Sequence, residues 1–429
     1  MQKKRKIFAF LSLLALIVIH SCSSSDTSPP IVSITDPSEN QIVDAGDTIP
    51  VRAQITDDQK ITYWEVRLTD ENFAPLGETF SAAPDSKTAN VNLLYPIPSG
   101  LENGTYYIRV RADDEESTAN QYVKLNINEV AQERLGLIAI VESAGNYQAK
   151  YWLNGGSWVL LADLGTDFSG AGFSSATDQL VTGNIADLLS VYDLVSGQLA
   201  YTQNCIAAPG FPCITAIGND GQFNYMGMEE GRLRRYSASG ALSLDAALME
   251  FRIPQSLYFQ NDRIFLYETQ RAGSSSFWTS YNINNGISIQ EVLLPGVPVA
   301  AFEQGPNTTM MFLNDQGVGS IRRYQFSTNG FEAALPGPNG VINSAASKNA
   351  NTYFFSQPDG IYSLDYSTSN TLMFKAGVSP DVMVYDNIGD ELIVGEGVFI
   401  RAYDSGSGTL NYSTLPGGQV IKLFVWYSD

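Results

Sequence analysis

The 429-residue chain has one histidine, His20, and three cysteines, Cys22, Cys205 and Cys213. With no imidazole after residue 20, residues 22–429 cannot assemble a Ser–His–Asp triad, a Cys–His pair or a zinc site built on imidazole. Carboxylate, Tyr, Lys or oxygen-ligand metal chemistry is what remains. Basic residues are scarce too, 25 Lys+Arg against 45 Asp+Glu. Met1–Ser21 holds four of those basic residues and no acidic one, so residues 22–429 carry a formal charge of −24. Such a surface repels phosphate backbones, which argues against nucleic acid as a partner and against electrostatic attachment to an anionic membrane. Acidic chains can collect divalent cations, but solubility alone accounts for the acidity. The apolar run Ile7–Ile19, broken only by Ser12, is too short to cross a hydrocarbon core of roughly 30 Å.

That run instead has the length of a signal-peptide h-region, preceded by Lys3, Lys4, Arg5 and Lys6. Ile19-His20-Ser21-Cys22 resembles the bacterial lipoprotein lipobox, which implies that Met1–Ser21 is removed and Cys22 is lipidated. Ser23–Pro30 is polar and ends in two prolines, which predicts a flexible tether over residues 22–30. In an exported chain Cys205 and Cys213, flanking a Pro/Gly loop, are expected to form a disulfide. Two buried thiols are the alternative.

From residue 31 to about 130 the pattern is period-2 alternation in short runs separated by turn signals, with no helical period. Examples are Thr48–Ile55, Ile61–Leu68, Gly104–Ala112 and Tyr122–Ile127. About seven such strands predict a β-sandwich, with Trp64 and Tyr106 or Tyr107 anchoring its core. The strand order resembles the immunoglobulin-like domains of bacterial surface proteins.

Residues 135–429 contain a repeat, an apolar strand ending in an aromatic followed by a polar turn with Gly or Asn. Taking Trp152, Tyr192, Tyr236, Tyr281, Tyr324, Leu364 and Tyr403 as equivalents, the copies recur every 39 to 45 residues. Each period holds about four strand signals, which predicts an all-β chain ending in a seven-bladed β-propeller. The first copy lacks a strand before Leu137–Val141. The last strand, Gln419–Tyr427, is therefore expected to close the ring as the inner strand of the first blade. This part resembles the generic WD40-like or YVTN-like propellers of exported bacterial proteins.

Several groups are candidate sites. Asp57, Asp58, Asp113, Asp114, Glu115 and Glu116 are expected at one pole of the sandwich, where their oxygens would suit Ca2+; two solvated acidic turns are the plainer reading. Phe211, Trp158 and Trp278, with Phe277, are the aromatics whose exposure on loops would suit stacking on sugars. Arg234-Arg235, Arg322-Arg323 and Arg401 occupy related positions and are read as charged cover for the rim. The sialidase Asp-box, WD, kelch and NHL signatures are absent. Asn103-Gly104-Thr105, Asn307-Thr308-Thr309, Asn411-Tyr412-Ser413 and Asp47-Thr48-Ile49 match glycosylation patterns too short to carry weight.

The layout as a whole resembles Bacteroidota surface lipoproteins. The resemblance implies an outer-membrane lipid anchor, with the cell surface favoured over the periplasmic face. The functional expectation is a non-catalytic interaction or scaffold subunit whose propeller face docks an outer-membrane protein. A glycan-binding lipoprotein serving polysaccharide uptake is the alternative, and a carboxylate-based glycoside hydrolase is third. No cofactor other than Ca2+ is expected.

Overall fold

A computed structural model describes residues 28–429 except 99, 131, 207–211, 261–262, 336, 338–339 and 429. The leader, Cys22 and Phe211 lie outside the described residues. Among the described residues the chain is all-β apart from one short 3-10 turn, Phe326–Thr328. It divides into two compact units that part between residues 131 and 132.

The first unit contains eight strands: β1 Ile31–Asp36, β2 Gln41–Asp44, β3 Thr48–Ile61, β4 Tyr63–Thr69, β5 Pro75–Ala82, β6 Ser86–Pro96, β7 Gly104–Asp113 and β8 Thr118–Asn128. They form two sheets, β1-β3-β6 and β2-β8-β7-β4-β5. The alternation along β3 decides which face is buried: Ile49, Val51, Ala53 and Ile55 point in, and Pro50, Arg52 and Gln54 point out. They meet Val66, Leu68, Ile108, Val110, Leu125 and Ile127 in one core. Trp64 and Tyr106 pack only at the margin of that core, whereas Tyr95 is fully buried within it. The Tyr95 hydroxyl accepts from the Leu68 N–H at 2.9 Å and donates to the Glu78 carbonyl at 2.6 Å, tying β6 of one sheet to β4 and β5 of the other.

The second unit is built from seven four-stranded antiparallel sheets. Six are continuous in sequence, spanning residues 168–204, 214–247, 252–293, 297–331, 344–376 and 382–414. The remaining one, counted here as the first, joins Arg134–Ser143, Asn146–Leu153 and Trp158–Gly165 to the distant strand Gln419–Tyr427. The register pairs Val425 with Leu137, Leu423 with Ala139 and Val420 with Val141. All seven repeat equivalents, from Trp152 to Tyr403, sit on the third strand of their sheet.

The second strand of each sheet is an apolar run without alternation, as in Met310–Leu313 or Tyr353–Phe355. Both faces of these strands are covered, so both need apolar residues. Met310 and Phe312 join a cluster shared with the sixth sheet, and Met311 and Leu313 join one shared with the fourth. Seven such clusters exist. Six link consecutive sheets, and the seventh links the last sheet (Ile393, Ile400, Ala402) with the first (Leu137, Ala139, Val141, Val425). A cavity of about 420 Å3 is lined by the first strands of six of the seven sheets. Glycines permit this convergence. A Cβ on Gly172 would lie 3.1 Å from the Gly218 backbone, and one on Gly218 3.0 Å from the Phe259 ring.

Candidate functional site

In a four-stranded meander, the turn between strands two and three and the connection to the next sheet lie at the same end. Exposed apolar side chains recur there. Ile206 follows the second sheet, Phe251 joins the third to the fourth, Val318 and Val398 lie at turns of the fifth and seventh, and Leu415 precedes the strand Gln419–Tyr427. The other end carries fewer at its turns, among them Val195, Ile287 and Ile388.

A cleft of about 600 Å3 opens at the richer end, between the third and fourth sheets. Its walls are Glu230–Arg232, Ala247–Arg252 and Arg271. Three arginines shape it, and each is held by a carboxylate. Arg232 pairs with Asp245 at 2.8 Å, Arg252 with Glu291 at 2.8 Å and Arg271 with Glu229 at 3.1 Å. The Arg252 guanidinium also lies 3.4 Å from the centre of the Phe277 ring, a cation–π contact that fixes both groups. Beside them Phe251 is 62% exposed and holds φ at +61°. A bulky residue in the left-handed region is strained, and such strain collects where a side chain must be presented. The cleft therefore offers a rigid polar frame around one outward-facing aromatic ring. Sequence reasoning passed over Phe251 because nothing local marks it; its position emerges only when two sheets are placed side by side.

The sequence-predicted aromatics fall elsewhere. Trp278 is 1% exposed, packed between Tyr258 and Phe265 in the fourth–fifth cluster, and is not available to a ligand. Trp158 is half-buried. Its indole N–H donates to Thr414 Oγ1 at 2.9 Å and its ring stacks with Trp152, joining the first sheet to the seventh. Phe277 is half-buried under Arg252. The paired arginines are taken up by neighbours. Arg234 lies 3.4 Å from Asp245, Arg235 donates to the Ile283 carbonyl at 2.6 Å, Arg322 to Ser320 at 3.2 Å, and Arg323 and Arg401 pair with Glu332 and Glu396.

The acidic residues of the sandwich are not gathered around a shared centre among the described residues. Glu115 turns to Lys60 at 3.1 Å, and Asp113 to Arg111 at 3.0 Å. Asp114 is buried and caps its own turn, accepting from the Glu116 and Ser117 N–H groups and the Ser117 hydroxyl. Those hydrogen bonds hold its carboxyl below the usual range, against the opposing effect of burial. Asp57 accepts from the Gln59 N–H at 2.7 Å, and Asp58 is exposed. Among the described residues no group of three His, Cys, Asp or Glu side chains is placed to hold a metal ion. Asp57, Asp113, Asp114 and Glu115 are thus engaged by their own turn, an arginine or a lysine and not by one another.

Cys205 and Cys213 are disulfide-bonded, with Cα atoms 6.1 Å apart. Both are buried in the cluster between the second and third sheets, beside Leu189, Val191 and Met226. One buried carboxylate was not anticipated. Glu268, on the second strand of the fourth sheet, is fully buried and receives hydrogen bonds from the Thr279 and Tyr281 hydroxyls. Burial pushes its carboxyl up to about 7, against the lowering effect of the two hydroxyls and Arg252.

No curated protein matches the chain. Among solved structures, the crystal structure of the computationally designed Ika8 protein is similar at 15% identity and a TM-score of 0.45, covering 68% of this chain and 90% of that one. Residues 30–110 match the family model described as a bacterial Ig domain. The match begins just before β1 and ends within β7, so the first unit is an N-terminal immunoglobulin-like domain of an all-β chain.

Proposed function

We propose that residues 132–428 close into a seven-bladed β-propeller, and that the protein is a lipid-anchored, non-catalytic interaction subunit of the outer membrane. The ring reading rests on the cyclic series of seven inter-sheet clusters and on the pairing of Gln419–Tyr427 with Arg134–Ser143. The observation that carries the docking reading is the end of the sheets bearing Phe251, Val318, Val398, Leu415 and the arginine-framed cleft. Apolar groups rimmed by fixed charges are the composition of protein interfaces, where aromatic and arginine side chains supply the anchors. The partner is an outer-membrane protein, because the Cys22 lipid would keep this surface beside that membrane. The burial of Trp278 and the packing of Trp158 weaken the sugar-stacking alternative.

The test is recovery of the tagged protein from gently solubilised outer membranes. A stoichiometric membrane-protein partner is expected, lost in a Phe251→Asn, Leu415→Ser variant that still folds. Phe251→Asn suits the left-handed backbone at that position. Recovery of the protein alone, together with retention on a polysaccharide gel, would overturn docking in favour of glycan binding.

A further inference from the structure

The cavity lined by the first strands contains one formal charge. Its lining includes no Asp, Glu or Arg, and Lys422 is the sole lysine. In a chain with 45 acidic residues, that exclusion of carboxylates leaves the ammonium without its usual partner. Among the described residues the Lys422 side chain has no hydrogen bond or ion pair. Its place follows from the closing strand. The register shifts between Val420 and Lys422, after which Leu423 and Val425 enter the core while Lys422 and Phe424 line the cavity. The lysine is exposed to solvent in an open cavity, with protein packed about its side chain. That packing disfavours the charged form and lowers its pKa.

The surroundings narrow what would satisfy it. The rings of Phe173, Phe259, Phe302 and Phe424 and the side chains of Ile217 and Leu257 form apolar wall, which cannot replace the hydration shell of an inorganic ion. Ser169, Thr215, Asn219, Gln255, Ser256 and Tyr258 add neutral hydrogen-bonding groups. About 420 Å3 falls in the size range of small-molecule sites. An apolar wall with one cation and a few polar groups complements an amphiphilic anion. We propose that this cavity binds a small organic carboxylate, its charge on the Lys422 ammonium and its apolar body against the phenylalanine rings. The site is separate from the docking surface, so it stands or falls independently of the partner.

The experiment is calorimetric titration of the full-length protein with phenylacetate, using phenylacetamide as the neutral counterpart and chloride as competitor. Phenylacetate should bind the wild type and Lys422→Arg. It should bind Lys422→Met and Lys422→Gln about tenfold more weakly or worse, the loss expected for a hydrogen bond to a charged group. Phenylacetamide should bind weakly to all four. Two neutral variants guard against one failing to fold, and thermal unfolding checks each. The proposal is overturned if phenylacetate fails to bind the wild type at millimolar concentration. It is equally overturned if either folded neutral variant binds it as tightly, or if chloride displaces it at equal concentration.

Discussion

Replacing Glu268 by Gln should stabilise the protein, and increasingly so as pH rises. The carboxyl titrates near 7 in the fold and at 4.5 without the burial. Between those values the native state keeps a proton that the unfolded chain has released. Stability therefore falls as pH rises through this window, and the loss is complete above about pH 7. At about 1.4 kcal/mol per pH unit the difference amounts to about 3 kcal/mol. Glu268→Gln mimics the protonated acid. Its carbonyl can accept from the Tyr281 hydroxyl at the observed 2.9 Å, and its amide can donate to Thr279 once that hydroxyl rotates.

The assay is urea unfolding of both proteins from about pH 4.5 to about pH 8, taking the difference at each pH so that other titrating groups cancel. The variant should match the wild type at the acid end and exceed it by about 3 kcal/mol at the alkaline end. A difference that stays constant with pH would refute the assignment of a proton to buried Glu268. So would a variant less stable at the alkaline end, since it would mean that an ionised carboxylate is what Thr279 and Tyr281 are arranged to hold.

Tyr95→Phe should cost the first unit about 1–3 kcal/mol in denaturant unfolding, because the buried Leu68 N–H loses its acceptor and Glu78 its donor. Trp426→Ala should cost the second unit about 3–5 kcal/mol, since the ring packs edge-on to Tyr151 and its N–H donates to Asp178 at 2.6 Å. Cys205→Ser with Cys213→Ser should lower stability by about 2–3 kcal/mol, the loop-entropy value for a crosslink spanning eight positions, read as a fall in the urea midpoint. Arg134→Met should cost about 3–5 kcal/mol by the same measure, because buried Asp386 and largely buried Glu391 would be left without their shared cation.

The strands were legible where burial imposes a pattern. The one-sided alternation of β3 and the two-sided apolar run of Met310–Leu313 both announce themselves. What stayed hidden had weak burial. Pro75–Ala82 is an edge strand with mostly exposed residues, and Gln41–Asp44 is only four residues long, so neither carries a period. The repeat equivalents were found because a third strand packs its aromatic against the neighbouring sheet, as Tyr236, Tyr281 and Tyr324 do. The same packing defeated the choice of ligand-binding aromatics. Trp278 resembles a loop residue in sequence, following Ser274-Ser275-Ser276, but pairing with Tyr267 places it inside a strand. Lys422 went unnoticed for the opposite reason. A lysine in an otherwise apolar strand reads as an exposed edge until the other first strands are placed around it.

The last strand explains how these observations depend on one another. Gln419–Tyr427 contributes to two clusters at once. Val420, Leu423 and Val425 pack toward the seventh sheet, and Trp426 with Phe424 toward the second. Its ladder partner, Arg134–Ser143, begins with Arg134, whose guanidinium bridges Asp386 and Glu391 of the seventh sheet. The Tyr427 hydroxyl donates to the same Asp386 at 3.1 Å, and Glu133 and Ser428 exchange hydrogen bonds at 2.8 Å. The ends of the second unit are thus fastened by backbone ladder, apolar packing and a buried ion pair together. Because a strand alternates its faces, the residues that enter those two clusters set the exposure of Lys422. The bulge before it turns the ammonium inward instead of into either core. The cavity's lone charge is therefore a product of the last strand itself.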